Sequence, residues 1–99
     1  MKIINNNVPA KEIIEFRDKR NWSSNHTPSN LVKSISIEAA ELLELYQWGD
    51  GTQNIERIKE ELADILIYSI TLAERLELDI NEIIKEKIKK NGVKYPEPK

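Results

Sequence analysis

Neither proline nor glycine interrupts residues 30–48 or 53–91. Runs of that length, free of the two residues that break helices and carrying apolar side chains three and four residues apart, predict helices. The three glycines (Gly49, Gly51, Gly92) and the four prolines (Pro9, Pro28, Pro96, Pro98) stand near segment ends. They divide the chain into four predicted helices, at about residues 9–20, 30–48, 53–76 and 80–91. Pro9 suits a first turn, and Gly49-Asp50-Gly51 is the expected stop for the second helix. Asp79 with Glu82 three residues on has capping-box spacing. Gly92 is the expected terminator of the fourth helix, with an extended tail over 93–99. No useful stretch alternates with period two, so no sheet is expected. The predicted fold is all-α, a single domain over 1–99 built as a four-helix bundle-like subunit.

Charge and composition exclude several function classes. A net charge of −2 argues against bulk electrostatic binding of nucleic acid. The chain has no cysteine, so disulfides, thiolate zinc sites and cysteine nucleophiles are excluded. One histidine, His26, cannot build a histidine-rich metal site. Met1 to Asn7 lacks the apolar run of a signal peptide, and no apolar stretch is long enough to span a membrane. The expectation is a cytoplasmic protein with no membrane partner.

Within the predicted helices, a few acids fall where apolar residues belong. With 100° per residue, Ile35, Leu42 and Leu45 lie within about 40° of Leu31, and Glu38 sits in the middle of that stripe. Glu41 borders it. In the third helix, Leu62-Ala63-Asp64-Ile65-Leu66-Ile67-Tyr68 is apolar nearly all round except at Asp64. Glu61, Asp64 and Tyr68 share one stripe. Charge runs on helices are ordinarily solvated faces, and Glu44, Glu56, Glu60, Glu74 and Glu77 read that way. Glu38/Glu41 and Glu61/Asp64 differ, because both pairs intrude on apolar stripes of helices that a short loop makes neighbours. Two carboxylates about 5 Å apart repel by roughly 3 kcal/mol at an effective dielectric of 20. Four of them together must take up protons or cations. Oxygen donors without histidine or cysteine suit Mg²⁺, with Mn²⁺ as a substitute.

Ile37-Glu38-Ala39-Ala40-Glu41-Leu42-Leu43-Glu44-Leu45-Tyr46-Gln47-Trp48 followed by Glu60-Glu61-Leu62-Ala63-Asp64-Ile65-Leu66-Ile67-Tyr68 resembles the MazG-type all-α nucleoside triphosphate pyrophosphohydrolases. Both halves of that family's Glu-x-x-Glu and Glu-x-x-Asp motif are intact. The resemblance is to the short dCTP pyrophosphatase branch. It extends over about 12–96, through Arg17-Asp18-Lys19-Arg20-Asn21-Trp22, His26-Thr27-Pro28, Asn30-Leu31 and Lys87-x-x-x-Asn91-x-x-x-Tyr95-Pro96. It implies hydrolysis of a nucleoside triphosphate, dCTP-like or non-standard, to the monophosphate and pyrophosphate. It implies Glu38, Glu41, Glu61 and Asp64 as Mg²⁺ ligands and catalytic carboxylates. Trp22, His26, Trp48 and Tyr68 match nucleotide-contacting positions, and Lys87, Asn91 and Tyr95 match a closing C-terminal segment. Where the branch can carry a base-reading histidine on the first helix, this chain has Ile13. The family is oligomeric, which implies a homodimer or homotetramer.

The residues agree with that implication independently. A helix apolar around most of its circumference exceeds what three others in a 99-residue chain can cover. Lys87, Lys90, Lys94 and Arg20 are candidates to neutralise a phosphate tail, and Phe16 reads as packing. The alternatives are a related phosphohydrolase acting on dUTP or phosphoribosyl-ATP, or a helical dimerisation module without catalysis. A helix-turn-helix DNA binder fits poorly with an acidic second helix.

Overall fold

The computed structural model describes residues 9–49 and 54–99. It contains α1 (Ala10–Lys19), α2 (Pro28–Glu44), α3 (Ile55–Arg75) and α4 (Ile80–Lys94), with no strand among the described residues. The expected helix start at Gln53, the stop at Asp50-Gly51 and the reading of Met1 to Asn7 lie outside the described residues.

Two helix starts, those of α2 and α4, are closed by a side-chain cap. Thr27 accepts the Asn30 N–H at 3.2 Å, and Pro28 takes the first helical position. This cap moves the start of α2 two residues ahead of the expected Asn30; such a cap contributes about 1 kcal/mol. Asp79 accepts the Glu82 N–H at 3.1 Å, as its spacing predicts. Pro9 is the residue before α1 rather than its first turn.

Two helix ends differ from expectation. The regular part of α2 stops at Glu44, not Trp48. Leu45, Tyr46 and Gln47 donate to carbonyls three residues back, at 3.1, 2.9 and 3.2 Å, so the chain tightens through Trp48 in successive turns. In the other direction, α4 passes through Gly92 to Lys94. A helix tolerates one glycine at a cost of about 1 kcal/mol. The stop is Pro96, which pushes Tyr95 out of helical geometry to φ −125°, ψ 75°. Only residues after Lys94 leave the helix.

The ends of α1 and α3 are closed in the same way. Trp22 N–H reaches back to the Arg17 carbonyl and Asn21 N–H to that of Asp18, with Asn21 at φ 55°. Leu78 and Glu77 repeat the pattern on Ala73 and Glu74, with Glu77 at φ 57°. These are Schellman closures. Asparagine enters the left-handed region readily, glutamate less so.

The interior is small. Leu31 and Ala73, 1% and 5% exposed, are the buried apolar residues among those described. α2 packs along α3 as its main neighbour, and α1 lies on α3 over a smaller area. No comparable packing involves α4. The radius of gyration is 16.1 Å, against about 13 Å for a compact domain of this length. Leu62, Leu66 and Ile67 of α3 and Ile84 and Ile88 of α4 stay exposed. The bundle is therefore three packed helices with a fourth standing off. Among the described residues no helix is long and apolar enough to cross a membrane.

Candidate active site

The pairing of α2 with α3 brings the predicted acids together. Glu38, Glu61 and Asp64 each offer an oxygen within 4.8 Å of the others. Glu61 is only 6% exposed. Its Oε1 has a long 3.5 Å contact from Arg57 Nη2, one turn earlier. Oε2 of Glu61 and Oε2 of Glu38 are buried without a partner. Contact with Glu61, then burial, then Glu41 push the Glu38 carboxyl up to about 7. Glu61 is held below its usual value, chiefly by its contact with Glu38. The two carboxyls therefore titrate as one coupled pair, and crowding both charges together favours holding a proton between them. Glu41 is exposed at the rim and touches both.

Asp64 also borders a cleft of about 550 Å³ between α1, the α1–α2 connection and α3. That size suits a small organic ligand. A row of rings forms its wall. Trp22 stands edge-on to Phe16 at 5.7 Å, His26 tilts against Trp22 at 6.1 Å, and Tyr68 is edge-on to His26 at 6.3 Å. Local sequence sets this row. The closure of α1 puts Trp22 two residues past the helix cap, back over Phe16, in the apolar contact such closures favour. Asn25 and His26 N–H then fold onto the Trp22 carbonyl at 2.9 and 3.1 Å. Tyr68 follows Asp64 by one turn, and burial followed by the Glu38 and Asp64 charges raises its hydroxyl pKa. Burial, then the Arg17 and Arg75 charges, lower that of His26, so its ring stays neutral near pH 7. His26 Nδ1 is buried without a partner.

Residues 33–99 match the MazG-like family. The chain belongs to that family. It is 36% identical over 91 residues to dCTP pyrophosphatase 1 of Rattus norvegicus and 34% identical to that of Mus musculus. Each match covers 83% of this chain and 54% of the relative, so the chain spans about half the length of the curated relatives it matches. The crystal structure of a pyrophosphatase from Archaeoglobus fulgidus DSM 4304 superposes with a TM-score of 0.79 at 40% identity, covering 97% of this chain and 100% of that one. The all-α expectation and the family resemblance both hold.

In this MazG-like chain, seven of the predicted site residues converge: Glu38, Glu41, Glu61 and Asp64 at the acidic end, and Trp22, His26 and Tyr68 along the cleft. Four do not. Trp48 is 89% exposed beyond α2, and Lys87, Asn91 and Tyr95 lie on or just past α4, which makes no extensive contact with the other helices. Phe16, read as packing, lines the cleft at half exposure, with the Arg20 guanidinium 3.4 Å over its ring. Arg20 also donates to the Phe16 carbonyl and is thereby committed locally. Sequence reasoning missed Arg17, Thr71 and Glu74. Arg17 and Thr71 line the cleft, and Glu74, read as a solvated acid, accepts from Arg17 at 2.7 Å. The signal for Arg17 was the one used for Glu38: it follows Ile13 by one turn, a charge on an apolar stripe.

Proposed function

We propose that this MazG-like chain is a Mg²⁺-dependent nucleoside triphosphate pyrophosphohydrolase, releasing the monophosphate and pyrophosphate. One observation carries the reading. Three converging carboxylates and an aromatic-walled cleft share a residue, Asp64. A nucleotide in the cleft therefore brings its phosphates to the acids. The dCTP pyrophosphatase relatives point to a dCTP-like or non-standard deoxynucleotide as substrate. The 40%-identical pyrophosphatase supports the same chemistry.

The donor set fits a hard divalent cation. Glu38 Oε2 and Glu61 Oε2 are buried lone pairs that nothing among the described residues satisfies. The group contains oxygen donors only, which suits Mg²⁺ or Mn²⁺. Glu38, Glu41, Glu61 and Asp64 are the ligands. A cation held there would supply charge neutralisation for the phosphates and a lowered pKa for an attacking water. The chain supplies the rest. Trp22 and Tyr68 offer ring faces and edges to the nucleoside, and His26, with its buried and unpartnered Nδ1, stands between them. The Phe16 ring gives one side of the cleft an apolar wall. Any of the four carboxylates is available to accept the proton that the attacking water loses.

Trp48, Lys87, Asn91 and Tyr95 reach substrate in this reading only from a second subunit of a homodimer or homotetramer. The exposed apolar residues of α3 and α4 support such an assembly. The substrate is a free nucleotide, not nucleic acid and not a membrane component. A cytoplasmic setting supplies both nucleotide and Mg²⁺. The test is pyrophosphate release from a panel that includes dCTP, dUTP and phosphoribosyl-ATP, with Mg²⁺ or Mn²⁺. Release from dCTP or a related deoxynucleotide is expected; silence across the panel refutes the reading.

A further inference from the structure

Arg17 is the one buried cation among the described residues. Its Nη1 donates to Glu74 Oε2 on α3 at 2.7 Å, and its Nε and Nη2 donate to Asp18 Oδ1 at 3.2 and 3.1 Å. Of the ion pairs among the described residues, Arg17–Glu74 alone joins two helices; the others link residues one, three or four apart. The backbone of the same residue does a second job. The Arg17 carbonyl accepts the Trp22 N–H at 3.2 Å. One residue thus ties α1 to α3 through its side chain and ties Trp22 to α1 through its carbonyl. The contact of α1 with α3 is otherwise small. If α1 turns, Trp22 turns with it, and so does His26, whose N–H is bonded to the Trp22 carbonyl; the row of rings then parts from Tyr68 on α3.

We infer that Arg17, with Glu74, is a positioning residue that sets where Trp22 stands in the cleft and so how tightly the nucleoside is held. The inference rests on the nucleotide reading given above for that cleft. Arginine is required because its planar fork serves Glu74 and Asp18 at once; lysine offers a single point charge.

The experiment has two arms. In the first, Trp48→Phe leaves Trp22 as the only tryptophan, and its emission is recorded without nucleotide or metal. Arg17→Gln and Glu74→Gln shift the emission to longer wavelength and raise acrylamide quenching about twofold, with Arg17→Lys in between. In the second arm, with Trp48 present, the same variants raise KM for dCTP about tenfold while kcat stays within about twofold of the parent. Glu74 is partly exposed, so Glu74→Gln decides the matter if Arg17→Gln fails to fold. Unchanged Trp22 emission in Glu74→Gln overturns the inference, as does a fall in kcat with KM unmoved. A shifted emission in the variants, with a parent protein that hydrolyses no nucleotide, upholds the placement of Trp22 and refutes the activity alone.

Discussion

Glu61, midway along α3, is 6% exposed, while Tyr95, just past the end of α4, is 67% exposed. The two regions are assembled to different degrees. The acidic face needs only α2 and α3, which follow one another and pack together within a single chain. Its members meet because helix pairing brings their stripes into register. α4 carries Ile84 and Ile88 half exposed or more, beside Lys85, Lys87, Lys89 and Lys90, and among the described residues no helix packs extensively on it. The described residues therefore hold an assembled acidic cluster and a fourth helix left largely unpacked.

The largest expected effect tests the finished region. Glu38→Gln or Asp64→Asn lowers pyrophosphate release by about a thousandfold, while circular dichroism shows unchanged helix content. Near-normal turnover in either variant removes the acidic face from the chemistry. Next comes the cation itself. Mg²⁺ at about a hundred times its dissociation constant stabilises the native state by about 2.7 kcal/mol, read as a higher melting temperature. That gain disappears in Glu38→Gln. An unmoved melting curve in the parent protein means that no cation site is preformed.

The unfinished region gives a smaller effect of a different kind. Lys87→Ala and Asn91→Ala each lower kcat/KM by about tenfold, and only when the protein is associated. Leu66→Asp, placed on the exposed apolar face of α3, shifts sedimentation toward monomer and brings the same loss. A fully active monomer would break the comparison, because α4 would then contribute nothing.

His26 gives a weaker, pH-dependent signal. Its folded pKa lies below 6.5, so between those values the unfolded chain binds more protons than the native one. Stability is fully present above pH 6.5 and is lost as the pH falls through the folded value. His26→Asn flattens that slope by less than about 1.4 kcal/mol per pH unit, the limit for one proton. Urea titrations between pH 5 and 7 read the difference. The smallest effect lies at the joint between the two regions. Glu77 holds φ 57° where glycine is free to sit. Glu77→Gly raises stability by about 0.5 kcal/mol, the relief of the left-handed strain exceeding the added chain entropy.

Much of this was legible in the residue order. Asp79 acts within a few residues of itself, and its spacing to Glu82 gave the start of α4; Thr27 and Pro96 act as locally, but Asn30 and Gly92 stood as the expected bounds in their place. Glu38, Glu61 and Asp64 were legible because a charge on an apolar stripe is a conflict that a single helix displays. Gly92 misled for the converse reason. Glycine lowers helix stability without forbidding it, and the apolar and lysine-rich turns on either side carry α4 past it. Arg17–Glu74 was out of reach as a pair, since 57 residues separate its members.

The sequence by itself determined the four helices, the absence of strands among the described residues, and which acids stand where apolar side chains belong. These are one-dimensional properties, set by periodicity, caps and breakers that act over a turn or two. Only the tertiary structure decided that Arg17 reaches Glu74, that Phe16 lines a cleft with Trp22, His26 and Tyr68, and that α4 stands apart. Each of those depends on how helices lie against one another. That is settled by how much apolar area each pairing buries, and among the described residues Leu62, Leu66, Ile84 and Ile88 stay exposed.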